Sequence, residues 1–204
     1  MSHLARARRP DRDASQGQSL VEFAMIVTVM MLLLLGMLEF GFIFDQHLTL
    51  EYASREGARV GSALGNGTST IPCAQVDQNV IAAVQRVATS PGSRVTESRI
   101  SEIRIYKSTA TGAQSGTSFN TWIYAKAQGP VVDGKALDFK SATSNWAACS
   151  RNNAATSPDS IGVRVSYTYV PVTPVSAVMK FFGGGGPATI PISDQTVMAL
   201  NPSN

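Results

Sequence analysis

The stretch Leu20 to Phe44, LVEFAMIVTVMMLLLLGMLEFGFIF, runs for twenty-five residues with Glu22 and Glu39 as its only charges. A helix needs about 20 predominantly apolar residues to cross a hydrocarbon core of ~30 Å. The uninterrupted uncharged part, Phe23 to Leu38, is 16 residues, and Phe40, Phe42 and Phe44 extend it with rings of the kind that settle at a membrane interface. The stretch reads as a single transmembrane helix. A secretory signal peptide is the competing reading, since a basic region precedes an apolar one. Against it, the apolar run is long for a signal sequence, and the A-x-A-like triplet after it, Ala53 to Arg55, ends in arginine. Arginines stand before the span and none follows until Arg55. That asymmetry orients the N-terminus to the cytoplasm and puts everything beyond about residue 46 outside.

The rest of the composition bounds what else the chain can be. With 204 residues, 44% hydrophobic and 15% charged, it can hold one compact domain of about 100 to 150 residues plus an appendage. A mean hydropathy of +0.03 is too low for several membrane spans. The net charge of +3 is concentrated in residues 1 to 17, where Arg6, Arg8, Arg9 and Arg12 face Asp11 and Asp13 and leave +1 for everything after. Nucleic-acid binding needs a clustered basic face, and the sequence offers none, so no nucleic-acid partner is expected.

Downstream of the span, Gln46 to Leu64 has no proline and fits an amphipathic continuation only loosely, ending at Gly65, Asn66 and Gly67. Ala74 to Ala88 places Val76, Val80, Ile81, Val84 and Val87 at helical spacing, a second helix with one apolar face. Ser101 to Tyr106, Thr121 to Lys126 and Ile161 to Tyr169 alternate as strands. Thr189 to Leu200 suits an edge strand, with Pro191 near its start. Pro174 to Phe182 reads as a helical turn closed by Gly183 to Gly186, and Ser108 to Ser118 and Asp138 to Asp159 read as loops. The expected organisation is a leader (1–17), a transmembrane and extended helix (18–64) and an extracytoplasmic domain (65–204). The fold class is α+β, a long N-terminal helix packed on a small antiparallel sheet.

Cys73 and Cys149 both fall on the expected outer side and lack zinc or C-x-x-C spacing. Either they form a disulfide, which over such a loop contributes about 2–4 kcal/mol, or they are two buried thiols. An oxidising compartment favours the bridge.

The junction of arm and span reads Gly17, Gln18, Ser19, Leu20, Val21, Glu22, Phe23. It resembles the prepilin cleavage motif of the type IV pilin superfamily, a glycine followed by an apolar segment whose fifth residue is glutamate. With the ASREGARVGSA stretch from Ala53 to Ala63, the chain is similar to the TadE-like family of minor pseudopilins of tight-adherence (Tad) pili. Phe23 stands where major Tad pilins usually have tyrosine, and the chain is far longer than those small pilins; both fit a TadE-type member. The resemblance is strong over residues 17 to 64 and loose beyond. It implies a pilin-like architecture, cleavage between Gly17 and Gln18 by a prepilin peptidase, and partnership with other Tad pilins or pseudopilins and the pilus assembly platform.

A carboxylate within a lipid helix is costly and marks a functional site with a partner to be named. Cleavage after Gly17 creates an amine on Gln18, four residues before Glu22 and about 6 Å away along the same helix face. The resemblance implies that Glu22 pairs with that amine on a neighbouring subunit and sets axial register; the alternative is a carboxylate resting in the inner headgroup layer. Glu39 lies roughly 25 Å further on. It either snorkels to the outer interface or meets another subunit's span. Ala53, Gly57, Gly61 and Gly65 recur every four residues, a pattern of close helix packing, here against the outer sheet or a neighbouring pseudopilin. Arg55, Glu56 and Arg59 read as solvated or lightly paired.

Enzymatic readings are weak. Gly129 to Ala136 (GPVVDGKA) is one residue from a P-loop, but Ala136 replaces the magnesium-holding hydroxyl and Pro130 removes an amide donor. His3 and His47 are the only imidazoles, and no nucleophile, base and orienting group stand out. The Asn66, Gly67, Thr68 sequon matches by letter alone. No cofactor, metal or catalytic residue is expected. The sequence thus reads as a single-pass inner-membrane precursor whose mature form acts in Tad pilus assembly and adhesion as a minor subunit, located in the membrane or in the extracellular pilus. The alternative is an uncleaved, membrane-anchored binding module of the cell envelope, with a secreted enzyme a distant third.

Overall fold

A computed structural model describes residues 12–174, 177 and 189–201, with side chains from residue 17 onward. The described chain divides into two units, 12–40 with 172–174 and 177, and Gly41–Pro171 with 189–201.

Helix α1, Arg12–Leu64, contributes to both units. It begins before the expected cleavage point, because nothing from Arg12 to Gln16 breaks a helix. In the first unit most of its large apolar side chains lack cover: Leu20 is 69%, Phe23 66% and Met37 70% exposed. Its mean hydropathy over an 18-residue window reaches 2.4, long and apolar enough to cross a membrane.

In the second unit the C-terminal part of α1, helix α2 (Val76–Ala88) and an antiparallel sheet share one core. The sheet comprises β1 (Ile100–Ser108), β2 (Gln114–Tyr124), β5 (Phe139–Ser144), β6 (Ser160–Tyr169) and β7 (Ile190–Ala199), in the order β5-β2-β1-β6-β7. A separate hairpin joins β3 (Val131–Val132) to β4 (Lys135–Ala136). The architecture is α+β, a long apolar N-terminal helix with a small antiparallel sheet.

Alternation sets which face is buried. Ile103 and Ile105 pair with Val165 and Val163, and all four are fully buried. On the opposite face Arg104 pairs with Arg164, and their guanidinium groups stack on Phe119 and Tyr106. Burial holds the Tyr106 phenol above its ordinary pKa, although the Arg164 charge pulls it down. Gly162 is fixed by packing, since a Cβ there would come within 2.2 Å of the Tyr106 ring.

Several expectations need correction. α2 starts at Val76, after a 3-10 turn at Cys73–Gln75. The strand expected from Thr121 to Lys126 starts earlier and ends sooner, as β2, and takes five residues of the supposed Ser108–Ser118 loop. The supposed Asp138–Asp159 loop contains β5 and a 3-10 turn at Ala148–Ser150. Both missed segments are polar because they lie toward a sheet edge with few buried positions, so alternation has little to mark. The Gly129–Ala136 stretch is the β3–β4 hairpin, turning through Asp133 (φ 50) and Gly134 (φ 77), with no helix after it to cradle a phosphate. The helical turn expected over Pro174 to Phe182 lies outside the described residues, apart from Pro174 and Ala177.

The stretch after β5 is held by a buried polar cluster. Cys73 and Cys149 form a disulfide with a Cα–Cα distance of 4.9 Å, closing a separation of 76 residues. Arg151, 2% exposed, donates from Nη2 to Asp77 Oδ1 at 2.5 Å and stacks 4.3 Å from the Trp146 ring centroid. Asn120 Nδ2 donates to Asp77 Oδ2 at 2.6 Å and to the Trp146 carbonyl at 2.8 Å, and its Oδ1 accepts the Trp146 N–H at 2.8 Å. The ion pair and the ring offset part of the cost of burying this charge, while Arg151 Nε and Nη1 are buried without a hydrogen-bond partner.

Candidate functional site

The head of α1 carries the processing and assembly candidates. Gly17 has open space around it, with nothing within 4 Å of a built Cβ. One turn on, Gln18 Nε2 donates to Glu22 Oε1 at 3.1 Å, an exposed contact between residues four apart. The helix therefore stacks Gln18 and Glu22 on one face, as its 3.6-residue period requires. The carboxylate's partner in that bond is a neutral amide.

Glu39 ends the apolar run differently. It is 7% exposed, and its carboxylate accepts the N–H of Val172 at 3.1 Å, the N–H of Thr173 at 2.9 Å and the Thr173 hydroxyl. The side chain is held by donors of its own chain, contacts that neither sequence reading named. The contact spans 133 residues, so local sequence holds no signal of it.

In the second unit the small residues of α1 form a close-packed face. A Cβ on Gly57 would lie 2.6 Å from Val84 Cγ2 and 3.2 Å from Val163 Cγ1, and one on Gly61 would lie 2.6 Å from Ile161 Cδ1. These glycines let α1 approach both α2 and β6. Ala53 is fully buried beside them. Gly65 has φ +55 and its N–H bonds the Gly61 carbonyl at 3.0 Å, the left-handed cap that ends a helix. The serines interleaved with this pattern are further contacts that the sequence reading missed. Ser54 Oγ donates to Asp194 Oδ2 at 2.8 Å and lies 3.0 Å from Thr196 Oγ1; Ser62 Oγ donates to the Ala199 carbonyl. They fasten the edge strand β7 to the helix. A signal was available, because Ser54 and Ser62 each follow a small residue of the four-residue repeat.

On the other side of this helical stretch Arg55 pairs with Glu51 at 2.5 Å and Arg59 with Glu56 at 2.7 Å, the arginines exposed and the carboxylates half-buried. The Arg59 hydrogen bond holds the Glu56 carboxyl below its ordinary pKa despite some desolvation. At the start of the unit, Arg94 stacks 4.6 Å from the Phe42 ring centroid and reaches Asp45 at 3.8 Å. Elsewhere Glu97 is pushed above the usual carboxylate range, first by desolvation and then by the Asp138 charge, with Lys135 opposing. Among the described residues no cluster of three or more His, Cys, Asp or Glu could hold a metal ion.

Glu22, the open glycine before it and the small-residue repeat all lie on one helix. Residues 17–59 of that helix match a family model described as TadE-like protein. This TadE-like segment is about a fifth of the chain and takes in Gly17, Gln18, Glu22, Ala53 and Gly57. The TadE-like family is a structural, pilus-associated one and links the chain to Tad pili, while the apolar part of the segment links it to a lipid bilayer. No curated protein and no solved structure matches the chain.

Proposed function

We propose that the protein is a minor pilin or pseudopilin of a Tad-type pilus, anchored by residues 18–44 in the inner membrane with its N-terminus cytoplasmic. A prepilin peptidase removes residues 1–17, and the mature chain begins at Gln18. The observation that carries this reading is the exposed Glu22 carboxylate at the head of an uncovered apolar helix, with a neutral amide as its hydrogen-bond partner. In lipid, the new amine of a neighbouring subunit would supply the missing positive charge. Pairing it with Glu22 fixes the axial register of that subunit on the assembly platform, and the domain from residue 65 onward acts outside in assembly and adhesion.

The test is co-purification with sheared pili from cells producing either the parent protein or Glu22→Gln. The parent should appear in the pilus fraction, and the variant should be processed and retained in the membrane but lost from that fraction by at least tenfold. Equal recovery of the two would overturn the assembly role of Glu22. Absence of both from pili, with the chain still in the membrane, would favour an uncleaved binding module.

A further inference from the structure

The Glu39 contact lowers the cost of bringing a second stretch of chain into the membrane interface. Lipid-exposed non-helical backbone is excluded from hydrocarbon because each free polar group there lacks water to bond. From Val172 to Pro174 the donors are accounted for: both N–H groups and the Thr173 hydroxyl donate to the Glu39 carboxylate, and Pro174 has no N–H. The same three bonds stabilise the carboxylate, which a lone position on an apolar helix would not. Around this contact the surface is apolar. Leu38 is 55%, Phe40 69% and Val172 66% exposed. The next eight residues of sequence, Val175 to Phe182 (VSAVMKFF), hold six apolar residues and one charge.

We propose that Glu39 pins Val172–Pro174 to the membrane helix, so that the exposed Val172 side chain lies in the outer bilayer interface and the chain touches lipid at a second point. The occupant of this surface is lipid rather than protein, because Leu38 and Phe40 belong to the helix stretch that must itself lie at the hydrocarbon edge. The inference rests on the membrane-spanning reading of α1. It makes Glu39 a positioning residue, acting through the backbone it holds.

The experiment attaches a nitroxide to the full chain at Val172→Cys, with Cys73 and Cys149 left oxidised, in phosphatidylethanolamine/phosphatidylglycerol vesicles. Relative accessibility to oxygen and to a water-soluble nickel chelate reports depth. Met30→Cys serves as the reference for the span and Thr117→Cys as the reference for water. The oxygen-to-nickel ratio at 172 should lie nearer to that at 30 than to that at 117. It should fall to the water value in Glu39→Ala and stay high in Glu39→Gln, which keeps an acceptor oxygen and so separates lost tethering from misfolding. A water-like value at 172 with a lipid-like value at 30 would overturn the proposal and leave the span intact, as would a lipid-like 172 indifferent to Glu39→Ala. A water-like value at 30 would overturn the span and the proposal with it.

Discussion

The two parts of α1 solve opposite problems with the same backbone. Up to Phe40 the helix carries large apolar side chains most of which remain more than half exposed, and Gly36 has no atom within 4 Å of a built Cβ. From Gly41 on, large residues are sparse on the inner face, which is made of Leu50, Ala53, Ser54, Gly57, Ala58, Gly61 and Ser62, all buried. Size predicts burial in the wrong direction here. The bulky part needs a partner outside the chain, whereas the small-residue part has its partners within it. What separates the two is the surroundings that each composition suits. Lipid rewards exposed bulk, and a shared core rewards a thin helix that lets α2 and β6 close in.

Changes in the second part should therefore cost folding energy and matched changes in the first should not. The largest effect is expected from replacing both cysteines by alanine. Loss of the loop closure should destabilise the second unit by about 2–4 kcal/mol in chemical denaturation, leaving membrane retention unchanged. Gly57→Leu should cost about 1–3 kcal/mol by overpacking against Val84 and Val163. Gly36→Leu, in open space, should leave the melting of the second unit where it was; equal losses would erase the distinction between the two parts. Gln46, 4% exposed with an unpartnered buried Oε1, is a polar side chain at the start of the small-residue part. Gln46→Met should gain about 1 kcal/mol by removing an unsatisfied acceptor.

The smallest effect should be that of Glu97→Gln, and it depends on pH. Desolvation and Asp138 raise the folded pKa of Glu97 above its ordinary value of 4.5. The fold therefore favours the protonated form. The contribution is fully present below that ordinary value and is lost as pH rises through the folded one. The variant should be more stable than the parent at neutral pH and no different in acid. A stability difference independent of pH would mean that ionisation of Glu97 is not what strains the site.

What was legible in the sequence follows the range of the interaction that carries it. The apolar span needs no partner in the chain, so composition reveals it. β1 and β6, buried along one face, show through alternation, and Gly65 shows as a helix stop. By contrast β5, FKSATS, buries only Phe139 and reads as a loop. The Asp77, Asn120, Arg151 cluster joins positions 43 and 74 residues apart, and the donors to the Glu39 carboxylate lie 133 and 134 residues further along the chain. At the head of the helix the opposite holds. Gly17, Gln18 and Glu22 lie close together in sequence, so their pattern is readable, while their proposed role lies in a neighbouring molecule.

The central claim is that the exposed part of α1 begins, in the working protein, at a new amine. The mass and N-terminal sequence of the protein purified from its native membrane test it most directly. A chain starting at Gln18 is the expected result. An uncleaved N-terminus in cells with an active prepilin peptidase, or a start beyond residue 44, would contradict it.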